Sequence, residues 1–219
     1  MNGLLKNQFY GAFGGAVVLL VFFTAVGIGL LITGNPTLLN IFALAAATAF
    51  AFNTAANFRK EASSKWNKYE LTAPVRRSDI VKSRYVSHVI WVFSGIFLSA
   101  FFIVLTVAIH GNRYFYHTVR DPLTLFSVGI GVALLMGTIF YPMIYLFGAD
   151  KSEITMIISL LGAVGITVGI MWLFNAAYDF KPVTDYEFYI NMAIYLVIVI
   201  ISFILSYFLT TFIFHRTEC

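Results

Sequence analysis

The chain has 219 residues, 60% of them hydrophobic and 11% charged, with a net charge of +4. Soluble domains carry about 25% charged residues, and a soluble fold of this composition would expose apolar patches that soluble monomers rarely carry. The composition excludes a soluble protein and implies a polytopic membrane protein with room for one domain, 1–219. Its positive charge is gathered in one segment, so it does not indicate nucleic-acid binding. With one cysteine, Cys219, no intrachain disulfide is expected, and at the last position it is not expected to serve as a prenylation signal. Asn2 stands where a myristoylation signal needs Gly.

In chain order, residues 1–11 place Leu4, Leu5 and Phe9 on one helical face. They predict a short N-terminal interfacial helix along the membrane, with an extension of the first span as the alternative. Apolar runs of a length suited to helical spans follow at roughly 12–33, 37–57, 88–109, 122–147, 154–175 and 188–213. The first is longer than a signal-peptide core and is expected to be retained. None shows the alternation of a barrel strand, so an all-α membrane protein of six transmembrane helices is expected. Gly34-Asn35-Pro36, His110-Gly111-Asn112 and Gly148-Ala149-Asp150 mark turns. Residues 176–187 read as an extracellular link with interfacial rings.

The one long polar stretch is 58–87, FRKEASSKWNKYELTAPVRRSDIVKSRYVS. It holds Arg59, Lys60, Lys65, Lys68, Arg76, Arg77, Lys82 and Arg84 against Glu61, Glu70 and Asp79. With the N-terminus inside, the inside segments hold these plus Lys6, Lys151 and Arg216, and the outside segments hold only Arg113, Arg120 and Lys181. The positive-inside rule then makes 58–87 and both termini cytoplasmic.

Several chemistries are missing. There is no P-loop, no HExxH, no cysteine pair and no histidine cluster at metal-ligand spacing, so no metal site is expected. His88, His110, His117 and His215 fall near span ends and read as interfacial or solvated. The central parts of the spans hold no Asp, Glu, Lys, Arg or His, which argues against a proton-coupled carrier. Thr24, Thr48, Asn53, Thr54, Thr138, Ser159, Ser202, Ser206 and Thr210 are read as helix–helix hydrogen-bonding groups. Gly11-xxx-Gly15 and Gly165-xxx-Gly169 match the small-xxx-small packing pattern.

Within 58–87, Ser63 or Ser64 is placed to cap a short helix. Trp66, Tyr69 and Ala73 share one face of it, and Pro74 ends it. Ser78 is placed to cap a second helix that runs through Ile80, Val81, Arg84 and Tyr85 into the third span. A solvated basic loop on anionic lipid would explain the charge, but a protein partner also explains the aromatics.

Residues 64–85 resemble the intracellular-loop signature of small ABC type-2 exporter permeases: Lys65-Trp66, Tyr69-Glu70, Pro74-Val75 with Arg77, then Asp79-Ile80-Val81 and Ser83-Arg84-Tyr85. Tyr141-Pro142 through Phe147-Gly148 to Lys151 resembles the family's ending of the fourth span. Within the family the chain looks most like permeases of bacterial exporters for phenol-soluble modulins. Ala73, before the proline, departs from relatives that carry a larger residue there.

The resemblance implies a cytoplasmic coupling helix between the second and third spans, seated on a separate ATP-binding subunit. The residues it implies for partner binding are Ser63, Lys65, Trp66, Tyr69, Glu70, Pro74, Arg76, Arg77 and Asp79. It further implies a 2+2 assembly of permeases, identical or paralogous, and ATPases in membrane lipid. ATP and Mg would be bound by the partner and no cofactor by this chain, which would not itself be an enzyme. The location would be the bacterial plasma membrane. The expected function is export of amphipathic peptides; the alternative is an ATP-independent membrane peptide-binding or immunity protein. An intramembrane enzyme is disfavoured, since no titratable pair lies within the spans.

Overall fold

The computed structural model describes residues 2–64, 76–111, 114–115, 119–179 and 183–217. Among these, six helices are long and apolar enough to cross a membrane. They are α1 (Asn2–Thr33), α2 (Pro36–Ser63), α3 (Arg77–His110), α4 (Arg120–Phe147), α5 (Ser152–Ala177) and α6 (Asp185–Thr217), with a 3-10 turn at Ala149–Lys151 before α5. No strand occurs among the described residues.

Local chemistry sets the helix ends. Gly34, at φ 56°, closes α1 by donating its N–H to Leu30 O at 2.8 Å. Asn35 then caps α2, its Oδ1 accepting from the Thr37 and Leu38 N–H groups at 2.9 and 3.2 Å, with Pro36 as the first helical residue. Thr184 and Glu187 form a capping box at the start of α6: Thr184 N–H donates to Glu187 Oε2 at 2.8 Å and Glu187 N–H to Thr184 Oγ1 at 3.4 Å.

Three expectations need correction. Residues 2–11 are not set off as an interfacial helix but form the first turns of a continuous α1, with Leu4 and Gln8 buried against the bundle. α2 does not stop near residue 57 but continues as a helix to Ser63, whereas the helix expected to run through Ile80, Val81, Arg84 and Tyr85 into the third span is present, from Arg77. Ser78 does not cap α3, because the helix already begins at Arg77 after an extended Arg76. The apolar run shows where a helix is buried in lipid and not where its backbone hydrogen bonding stops. At 34 residues α3 is about 51 Å long at 1.5 Å per residue, beyond the roughly 30 Å of a hydrocarbon core.

α2 and α4 form the centre of the bundle and are the most enclosed spans. α2 packs on α1, α3 and α4, and α4 packs on α5 and α6. An aromatic-rich layer including Phe23, Phe42, Phe50, Trp91 and Phe102 joins α1, α2 and α3. A second core around Val132, Met136, Phe140, Tyr141 and Tyr195 joins α2, α3, α4 and α6.

Small residues let these helices approach. A Cβ on Gly95 of α3 would stand 2.7 Å from the Ala46 carbonyl oxygen and 3.0 Å from Ala47 Cα of α2. On α1, Gly11 and Gly15 seat the side chains of Asn57 and Asn53, and Asn53 Nδ2 donates to Ala12 O at 2.8 Å. The first small-xxx-small pattern is therefore used within the chain. A Cβ at Gly165 or Gly169 meets nothing within 4 Å among the described residues.

Two leucine substitutions separate these cases. Gly95→Leu forces backbone apart and is expected to cost at least about 1–3 kcal/mol, seen as a lower midpoint of thermal unfolding in detergent. Gly165→Leu is expected to leave that midpoint unchanged.

Candidate coupling site at the loop end of the bundle

One end of the bundle gathers the start of α1, the end of α2, the start of α3 and the end of α6. Gln8 reaches Glu61 there, and the Arg77 guanidinium reaches the Phe214 carbonyl at 3.5 Å. The expected coupling segment joins α2 to α3 at this end. Lys65, Trp66, Tyr69, Glu70 and Pro74 lie outside the described residues.

The other expected site residues frame that segment. Ser63 is the last residue of α2. Arg76 is exposed and extended immediately before α3. Arg77 is half-buried, its guanidinium 5.8 Å from the centre of the Phe214 ring. Asp79 lies in the first turn of α3, where the helix dipole favours a carboxylate. On α2, exposed Arg59 pairs with exposed Glu153 at the start of α5.

Directly beneath lies a buried polar cluster. Arg84 Nη2 of α3 stands 3.0 Å from Glu61 Oε2 of α2, with both side chains less than a tenth exposed. Glu61 Oε1 accepts from Gln8 Nε2 of α1 at 2.7 Å and from Asn57 Nδ2 of α2 at 3.3 Å. The Arg84 guanidinium lies 3.8 Å over the Phe58 ring of α2 and 5.8 Å from the Tyr145 ring of α4. Removing two charges from water costs several kcal/mol per ion and is repaid only by good geometry and further hydrogen bonds. Here α1 and α2 supply hydrogen bonds to Glu61 through Gln8 and Asn57, and α2 and α4 supply aromatic rings to Arg84 through Phe58 and Tyr145.

A second layer sits one turn deeper. His88 is fully buried, its Nε2–H donating to Ala133 O of α4 at 3.0 Å. Its Nδ1 faces Thr54 Oγ1 at 3.0 Å and Tyr141 Oη at 3.3 Å. In this tautomer both ring nitrogens have partners. A Cβ on Gly137 would stand 2.8 Å from His88 Nε2, so glycine makes room for the ring. Tyr85 Oη lies 2.8 Å from both Ser206 Oγ and Thr210 Oγ1 of α6, and Ser206 Oγ donates to Thr138 O of α4 at 2.7 Å.

His88 is thus a core histidine and not an interfacial or solvated one, and Arg84 is an internal residue, unlike exposed Lys82. Sequence reasoning missed both, as it missed Gln8, Asn57 and Glu61. A signal was available: Asn53, Asn57 and Glu61 recur every four residues on α2, as do Arg84 and His88 on α3. Of the polar residues expected to join helices, Asn53, Thr54, Ser206 and Thr210 do so. Thr48, Thr138 and Ser159 donate to carbonyls of their own helices. Among the described residues no group of His, Cys, Asp or Glu could hold a metal ion.

The family model for the ABC-2 family transporter protein matches residues 3–215, and the chain belongs to that family. It is a multi-pass membrane protein and a permease subunit of an ABC transporter, and membership implies an ABC ATP-binding partner. No curated protein and no solved structure matches the chain.

The buried pair makes a stability prediction. Glu61→Leu takes the carboxylate away from the buried Arg84 guanidinium and is expected to cost about 3–5 kcal/mol. Adding Arg84→Met removes the remaining buried charge and should restore most of the loss. Thermal unfolding of the detergent-purified single and double variants measures both.

Proposed function

We propose that this chain is the membrane half of an ATP-driven exporter, and that its partner subunit docks on the segment between α2 and α3. The observation that carries the reading is the framing of that segment. Its two flanking helices run up to it without a break and are joined just beneath it by the buried Glu61–Arg84 pair. Displacement of a loop so anchored reaches the spans with little loss in slack.

In this reading Trp66 and Tyr69 are the anchors seated in the ATP-binding subunit, as aromatics commonly are at interfaces. Ser63, Lys65, Glu70, Pro74, Arg76, Arg77 and Asp79 shape and flank them. ATP and Mg bind to the partner, and closure of two ATP-binding subunits drives two permease chains, identical or paralogous, in a 2+2 assembly. The loop and both termini face the cytoplasm of a bacterial plasma membrane, supported by the excess of Lys and Arg at the loop end.

The substrate is an amphipathic peptide of the phenol-soluble modulin kind. Supporting this is an apolar cavity of about 400 Å³ between α2, α4 and α5, lined by residues such as Ile41, Leu44, Val132, Leu160 and Val164, with Thr48 and Thr167 as its hydroxyls. A surface of this kind suits the apolar face of a helical peptide and offers little to a strongly charged solute.

The decisive measurement is purification with the ATP-binding subunit, followed by hydrolysis with and without phenol-soluble modulin peptides. The wild-type complex is expected to be stimulated by the peptides. Trp66→Ala with Tyr69→Ala is expected to lose the partner or to hydrolyse ATP without transport. Full coupling in that double variant would remove the docking role of the segment. Protection of cells against the peptides with a hydrolysis-dead partner would point instead to ATP-independent sequestration.

A further inference from the structure

We infer that the Glu61–Arg84 pair, with Gln8, Phe58 and Tyr145, is the joint through which motion of the α2–α3 loop enters α1 and α4. Glu61 lies two residues before the end of α2 and Arg84 seven residues past the start of α3, so one partner stands on each side of the loop. Their 3.0 Å bond closes that loop at its base. Each then reaches outward: Glu61 to α1 through Gln8 at 2.7 Å, and Arg84 to the Tyr145 ring of α4 at 5.8 Å. The Tyr141 hydroxyl of α4 adds a 3.4 Å bond to the Arg84 carbonyl.

Stability alone is a weak reason for the pair, since replacing a buried ion pair by apolar residues of similar volume is often close to neutral. What apolar packing lacks is direction. Hydrogen bonds weaken steeply as their angles bend, and a planar guanidinium fixes orientation as well as distance. Gln8, Glu61 and Arg84 are therefore positioning residues: they fix the angle between the loop and the spans that must follow it.

The inference rests on the docking of an ATP-binding subunit to this loop, and the test separates the two. Spin labels are placed at Ile32→Cys near the far end of α1 and Leu173→Cys near the far end of α5, in a Cys219→Ser chain. Ile32 and Leu173 are both well exposed, and α5 contributes no residue to the joint. The distance between labels is measured in the assembled complex with and without ATP and vanadate.

In the otherwise unmodified chain the distance is expected to shift. In Glu61→Leu/Arg84→Met, with thermal stability restored, partner copurification and hydrolysis are expected to persist while the shift is lost. Arg84→Lys, which keeps the charge without the planar group, is expected to shift partially. A full shift in the double variant overturns the inference. So does a joint loss of assembly and shift in both the double variant and Arg84→Lys, which would mark the pair as structural only. Should the double variant alone fail to assemble, a full shift in Arg84→Lys has the same consequence. Failure of the otherwise unmodified chain to retain an ATP-binding subunit removes the docking reading itself.

Discussion

A carboxylate and a guanidinium held away from water at 3.0 Å set the terms for the loop end of this bundle. Ions so enclosed need compensating contacts, and the chain supplies them from several helices at once. Gln8 comes from α1, Asn57 and Phe58 from α2, and Tyr145 from α4. Meeting that demand fixes the end of α2 against the start of α3, and both against α1 and α4. The expected docking segment thus begins and ends at points whose spacing the buried charges hold.

The same rule operates in weaker form along the bundle. Apolar side chains gain nothing by leaving lipid for one another, so membrane helices associate through close packing and hydrogen bonds. Asn53 and Asn57 of α2 lie in the space left by Gly15 and Gly11 of α1. His88 occupies the space left by Gly137. Tyr85 of α3, Ser206 of α6 and Thr138 of α4 form a chain of bonds across three helices. Each case pairs a polar side chain on one helix with a small residue or a carbonyl on another. Register between neighbouring spans is set at those points, since greasy surfaces alone would slide.

The spans were legible because the bilayer as solvent makes the same demand of every residue in a run, and a run can be read locally. The turn at Gly34-Asn35-Pro36 was legible for a similar reason, since its glycine, cap and proline each act on the adjacent backbone. The capping box of Thr184 and Glu187 is equally local but sits inside a stretch that reads as a link. Glu61 and Arg84 were hidden in another way. They lie among exposed charges, and Arg59, Lys60 and Lys82 around them do face outward. Which charge turns inward depends on the face each helix shows its neighbour, a non-local fact. The four-residue spacing of Asn57 with Glu61 marks the inward face only once α2 is known to extend past its apolar run, and that of Arg84 with His88 only once the face α3 turns to α2 is known.

That extension gives the loop end its character. A helix that stopped at residue 57 would leave Glu61 in a mobile polar connection, solvated and able to pair with any nearby cation. Continued to Ser63, α2 carries Glu61 on the face already occupied by Asn53 and Asn57, against α1. Begun at Arg77, α3 has two turns in which to bring Arg84 round to the same point. The polar stretch is therefore two structures in sequence terms that look like one. Its middle is the segment implied to meet an ATP-binding partner, and its ends are helical, with Glu61 and Arg84 turned into the bundle. In the proposed reading the motion of an ATP-binding partner enters at that middle segment and reaches the spans through the helices that flank it. Helix continuity supplies rigidity along α2 and α3, and the buried charges supply it between them.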